Sequence, residues 1–447
     1  MSKRNFILLI IILIIITIAI FGFLYFKQGT TIPEDNNTDT NFVSQLGLFG
    51  TSKPATTTTT TPVDVSGYQP SNTETQKLQL TKISSVPVAG FIIFTKERLK
   101  DVPVATTNES SSETSTLKTT KKPTPPLTEF KPALRYVDRV TGNIYQTFID
   151  KIEEKRFTTT LIPKVYEAYF GNRGESVVMR YLKTDARTIE TFVGTLPKEL
   201  LGGDTTTNTE IKGSFLPDNI KDISLSPDNS KIFYLFNSES SSNENIIGAT
   251  LNFASNKKIQ LFSSPFTEWL SQWPNSNIIT LSTKPSANVL GYMYKIDGSG
   301  KNLMKVLGDI NGLTTLTSPN GKLVLYSDNN LSLNVYNTET MNSTVLGIRT
   351  LSEKCVWGKA NDVIYCAIPK LIDSGEYPDS WYQGEVSFKD QFWKIDVKTG
   401  NGTLILDPTT ISGGEESDGI KLALDDGENY LFFVNKKDSF LWKLNLR

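Results

Sequence analysis

Whatever chemistry this sequence performs has to come from carboxylates, lysines, tyrosines and backbone groups, because its 447 residues include no histidine and only two cysteines. That composition excludes Ser-His-Asp and Cys-His catalysis, any His-ligated metal, and the Cys-rich zinc and iron–sulfur patterns. The densest grouping of useful side chains runs from Pro369 to Asp390 and holds Glu376, Tyr377, Pro378, Asp379, Trp381, Tyr382, Gln383, Glu385 and Phe388. Aromatic faces interleaved with carboxylates and an amide are what sugar or peptide recognition uses. Two of these acids set on either side of a sugar would instead hydrolyse a glycosidic bond. A third reading is structural: Trp381 and Tyr382 fold back as a lid over the domain. The acidic turn residues Asp228, Asp297, Asp396 and Asp425 are expected to cap hairpins rather than to hold calcium. No metal and no cofactor are expected.

Cys355 and Cys366 lie symmetrically about Ala360-Asn361. If the chain turns back there, the two face each other across a hairpin, close enough for a disulfide. A structural disulfide is the expectation, with two buried thiols or a redox pair as the alternatives. Such a bond persists only outside the reducing cytosol.

The elements that must position these residues are short strands. The stretch Leu225-Ser226-Pro227-Asp228-Asn229-Ser230-Lys231-Ile232-Phe233-Tyr234-Leu235-Phe236 reads as strand, tight turn, strand, and variants recur at Trp273-Pro274-Asn275-Ser276, Ser318-Pro319-Asn320-Gly321 and Trp357-Gly358-Lys359-Ala360. Looser copies begin at Phe170-Gly171-Asn172 and Leu424-Asp425-Asp426-Gly427. Proline presets φ at the first turn position, and Asp, Asn and Gly accept the bent or left-handed conformations that follow. The strands after the turns are almost continuously apolar, as inner strands packed between neighbours should be. A period of roughly 40 to 55 residues carrying several short strands signals an all-β, seven-bladed β-propeller, with six or eight blades as the alternative count.

A second turn recurs as Asp297-Gly298-Ser299-Gly300, Asp396-Val397-Lys398-Thr399-Gly400 and Asp138-Arg139-Val140-Thr141-Gly142. With the Ser226-to-Lys231 turn, it makes residues 77–447 resemble the TolB-type, WD40-like β-propellers, a family related to the N-terminal propeller of dipeptidyl peptidase IV enzymes. The resemblance implies an extracytoplasmic propeller serving as a binding platform. Blades four and six depart from it, with Trp273-Pro274-Asn275-Ser276 and Trp357-Gly358-Lys359-Ala360, and neither Gly-His nor Trp-Asp dipeptides occur. No Gly-x-Ser-x-Gly follows, so peptidase activity is not carried over.

The blades are expected at 88–160 with a low-complexity loop over 96–132, then 165–217, 220–264, 268–309, 313–348, 353–408 and 420–447. The last is one strand short, and the alternating stretch Lys77 to Ile83 is expected to complete it, removing an open edge. Upstream, Phe6 to Phe26 is an apolar run whose helical length of about 30 Å spans a hydrocarbon core. Lys3 and Arg4 precede it, so residues 1–5 are a cytoplasmic tip, 6–26 a transmembrane helix and signal anchor, and the rest lies extracellular or periplasmic. A cleaved signal peptide is the competing reading. Residues 27–76, rich in Thr, Ser and Pro, read as a disordered tether. Lys and Arg (46) nearly balance Asp and Glu (47), which argues against nucleic acid. The expected function is non-catalytic binding or scaffolding of a protein or glycan in the cell envelope. A carboxylate-dependent carbohydrate-active enzyme and a passive component of an envelope assembly are the alternatives.

Overall fold

A computed structural model describes residues 80–100, 127–199, 201, 209–238, 245–411 and 414–447. The apolar run Phe6 to Phe26, the tether and most of the low-complexity stretch lie outside the described residues. Among the described residues no helix is long and apolar enough to cross a membrane.

Seven four-stranded antiparallel sheets follow one another along the described chain, confirming the seven-bladed propeller. The apolar runs form the second strands, such as Lys231–Asn237 in blade three, buried from Ile232 to Leu235, and Val363–Pro369 in blade six, buried from Ile364 onward. Each junction between adjacent blades carries its own hydrophobic cluster. Phe233, Leu235, Trp269 and Leu281 join blades three and four, while Leu325, Leu333, Trp357 and Trp393 join five and six. The strand tryptophans are packing residues: Trp269, Trp357, Trp393 and Trp442 are all buried.

Acidic turn residues cap their hairpins. Asp228 accepts from Ser230 N at 3.1 Å, Asp297 from Ser299 N at 2.9 Å, Asp396 from Thr399 N at 2.7 Å and Asp425 from Asn429 N at 2.7 Å. Each carboxylate satisfies backbone donors that the turn leaves without a ladder partner.

Ring closure is made as the sequence suggests. Leu80–Lys82 pairs antiparallel with Leu441–Asn445 as the outer strand of blade seven, with Leu80 opposite Leu444 and Lys82 opposite Trp442. Ile83, Val88, Leu134 and Tyr136 then pack with Phe432, Val434 and Leu441 across the seam.

Blade one differs from the expectation. Its inner hairpin does not stop at Thr95 and Leu134 but continues as Val88–Leu99 against Thr128–Asp138, with Glu97 opposite Phe130 and Leu99 opposite Thr128. The low-complexity loop therefore starts after the ladder rather than at Lys96. Its strand residues Thr95 to Leu99 alternate in exposure like a two-stranded ribbon. The fourth strand is only Lys155–Arg156.

Strand alternation fixes two faces. The chain descends the first strand and climbs the second, so the connections between second and third strands open on the same face as those joining consecutive blades. The long connection of blade six, between Val363–Pro369 and Asp390–Asp396, is on that face.

Candidate functional site

The blade-six connection turns at Tyr377-Pro378, joined by a cis peptide bond, and forms a single helical turn, Asp379–Tyr382. Its apolar residues point inward. Tyr377, Trp381 and Phe388 are 4 %, 4 % and 1 % exposed and form one cluster with Leu331 of blade five, Leu351 from the connection into blade six, and Ile420 of blade seven. The Trp381 and Phe388 rings stack with centroids 6.1 Å apart, and Tyr377 stacks on Phe388 at 5.7 Å.

Polar contacts tie this loop to blade four, to the connection into blade six and to blade seven. Asp379 Oδ2 accepts from Ala287 N in blade four at 2.5 Å. The Tyr382 hydroxyl donates to Glu353 at 2.5 Å, and Trp381 Nε1 donates to Asp418 Oδ2 at 2.9 Å. Lys436, in blade seven, donates to the Trp381 carbonyl and sets its ammonium 4.0 Å from the indole centroid.

Beneath the Trp381 and Phe388 rings sits a buried ionic group. Lys354 comes from the connection into blade six, Asp390 from the start of that blade's third strand and Asp418 from the connection into blade seven, and the side chains of all three are fully enclosed. Lys354 Nζ donates to Asp390 Oδ2 at 2.8 Å, to Asp418 Oδ1 at 2.5 Å and to the Gly419 carbonyl at 3.0 Å, using all three of its hydrogens. Asp418 further accepts from Phe388 N at 3.0 Å and Ser387 Oγ at 3.2 Å. Asp390 accepts from Gly419 N at 2.6 Å, while its Oδ1 is buried without a partner.

The two acids therefore titrate differently. Burial pushes Asp390 up to about 6 against the opposing charge of Lys354, and the neighbouring Asp418 adds to the rise. Burial acts on Asp418 in the same direction, but Lys354 and the loop's donors outweigh it and hold Asp418 below the ordinary range. Burial would lower Lys354, yet the two carboxylates outweigh it and raise the ammonium. The arrangement is a latch in which one ammonium holds two carboxyls, Asp418 kept ionised and Asp390 the more easily protonated.

Of the sequence-predicted residues, Tyr377, Trp381 and Phe388 are thus inside the lid. Tyr382 is 39 % exposed; Glu376, Gln383 and Glu385 are exposed beside it, and Asp379 is half-buried under its amide donor. Cys355 and Cys366 are bonded, with their Cα atoms 4.0 Å apart at directly opposed positions of the hairpin. Lys354, Asp390 and Asp418 were not singled out by the sequence. A charge at the end of an apolar strand ordinarily faces water, and the only local signal is that Lys354 abuts the buried Cys355 and Asp390 opens the buried run Phe392-Trp393.

No family model matches this sequence, and no curated protein sequence matches it. Solved structures similar to it include an oligogalacturonate lyase in complex with manganese, 9% identical with a TM-score of 0.48, covering 70% of this chain and 85% of that one. The oligogalacturonate lyase of Vibrio parahaemolyticus is likewise 9% identical, with a TM-score of 0.45 and coverage of 71% and 86%. TolB from Acinetobacter baumannii is 10% identical with a TM-score of 0.37, covering 59% of each chain. The likeness concerns the β-propeller fold alone.

Proposed function

We propose that this chain is a single-pass membrane protein whose propeller stands outside the cytoplasm and acts, without catalysis, as a binding or scaffolding module for a protein or glycan of the cell envelope. The observation that carries this reading is the latched blade-six loop. Its aromatic residues are committed to the lid, and the exposed Glu376, Tyr382, Gln383 and Glu385 are therefore held on a stiff, pre-ordered platform. A partner binding there would not bear the cost of ordering the loop, which lowers the entropic penalty of association.

A hydrolase would need two acids facing each other across an open, substrate-sized space. Here Asp379 is occupied by the Ala287 amide, and Asp390 and Asp418 are enclosed around Lys354. The extracytoplasmic placement rests on the Phe6 to Phe26 run and on the Cys355–Cys366 disulfide, which suits an oxidising compartment.

Photo-crosslinking in the host membrane tests the reading. A crosslinker placed at Gln383 or Glu385 of the full chain should yield a discrete adduct, and one placed at Asp426, in a turn of the opposite face, should not. Adducts from Asp426 alone would transfer the binding role to that face. Absence of adducts from either would favour the passive envelope component.

A further inference from the structure

We propose that the central channel holds a small carboxylate with an apolar body, bound through the ammonium of Lys421. The inner strand of blade seven, Gly419–Leu424, breaks register between Ile420 and Ala423. At that bulge Lys421 takes a left-handed conformation, φ 53, which is unfavourable for an L-residue and which glycine would adopt freely. A bulge re-aims the side chain at its centre. Here it delivers a lysine into a cavity of about 490 Å³ lined also by Ile92, Ile93, Tyr169, Leu225 and Leu422. That volume is ample for a small organic ligand.

The ammonium is only partly satisfied. Lys421 Nζ donates to the Ala89 carbonyl across the blade seam at 2.6 Å, whereas an ammonium has three hydrogens. The acid of the cavity, Glu167, is already engaged, accepting from Arg180 Nη1 at 2.5 Å and from the Tyr169 hydroxyl at 2.8 Å. Crowding by protein holds Lys421 below the ordinary lysine range, Glu167 opposes the shift, and Arg139 and Arg180 add to it. The Lys421 side chain is nonetheless exposed to the channel, where a ligand can reach it. The charges acting on Lys421 are two cations against one carboxylate, so the local field favours an anion.

The walls narrow the class of anion. One carboxylate can take the two remaining Lys421 hydrogens, and its apolar remainder can rest on Ile92, Ile93 and Leu422. A phosphate or polyhydroxylated acid would strand further polar oxygens against those side chains, at a desolvation cost.

Calorimetric titration of the full-length protein with benzoate, and with the isosteric but neutral benzamide, decides the matter. Benzoate should bind at least about tenfold more tightly than benzamide, Lys421→Met should weaken benzoate by at least about tenfold, and Lys421→Arg should keep it within about threefold. No heat with benzoate at millimolar concentration, or equal affinity for benzoate and benzamide, overturns the proposal. Unchanged benzoate affinity in folded Lys421→Met does so too. If Lys421→Met fails to fold, the benzoate–benzamide comparison on the unaltered protein still decides.

Discussion

Replacing Lys354 with methionine removes the one cation shared by two enclosed carboxylates while nearly keeping side-chain volume. Three charge-assisted hydrogen bonds disappear, and Asp390 and Asp418 are left facing each other without compensation. Breaking a buried ion pair from one side costs about 3–5 kcal/mol, most of it the burden of the stranded charge. Lys354→Met should therefore lose about that much in urea unfolding at pH 7. Adding Asp390→Asn removes a stranded charge, so Lys354→Met/Asp390→Asn should be more stable than Lys354→Met alone. Acid acts in the same way, since protonating one carboxyl lets it donate to the other, and the single variant's deficit should shrink between pH 7 and pH 5. In the unaltered protein the folded pKa of Asp390, about 6, lies above its unfolded value near 3.8. The contribution of Asp390 is thus fully present below about 3.8 and lost as pH rises through about 6, on the order of 2–3 kcal/mol. Asp418, shifted downward, contributes in the opposite sense, with stability present above its unfolded pKa and lost on acidification. Asp390→Asn should therefore flatten the stability profile between pH 4 and 6. A double variant less stable than Lys354→Met, or a Lys354→Met deficit below about 1 kcal/mol with no pH dependence, would refute the latch.

Three further outcomes follow from the same packing. Cys355→Ala/Cys366→Ala opens a crosslink of sequence separation 11 and should lower unfolding free energy by about 2–3 kcal/mol, with reductant producing a comparable loss in the unaltered protein but none in the variant. Trp381→Ala removes the centre of the lid cluster and its bond to Asp418; it should cost about 3–5 kcal/mol and make the 370–389 segment the first site of limited proteolysis, seen by mass spectrometry. Gly90→Ala places a Cβ 1.9 Å from the Ala168 carbonyl oxygen, a clash between the inner strands of blades one and two that should cost about 1–3 kcal/mol or more in the same urea assay.

The blades were legible because their information is local. A turn such as Ser226-Pro227-Asp228 determines its own hairpin through proline's φ and the aspartate's bond to Ser230 N, and an apolar run beside it needs no distant partner to be recognised as a buried strand. Even ring closure was readable, because a final blade one strand short demands an edge and Leu80-Thr81-Lys82 alternates correctly to supply it. The blade-one ribbon was missed where low-complexity flanks hid the continuing ladder from Lys96 to Leu99. The latch was missed for a deeper reason: Lys354, Asp390 and Asp418 are separated by 36 and 64 residues along their hydrogen-bonded pairs, and no period links them. Their meeting depends on two inter-blade connections and the end of a third strand coming together on one face, a consequence of ring geometry rather than of any motif. The same geometry decides the role of the blade-six loop. Trp381 is compatible in sequence with a sugar platform or a lid; with Asp418 accepting its indole N–H and two ammoniums, Lys354 at 5.2 Å and Lys436 at 4.0 Å from its ring, the aromatic surface is already occupied by the protein's own cations. The proposed binding role, if it lies on this face, is therefore left to the polar rim that the latch holds still.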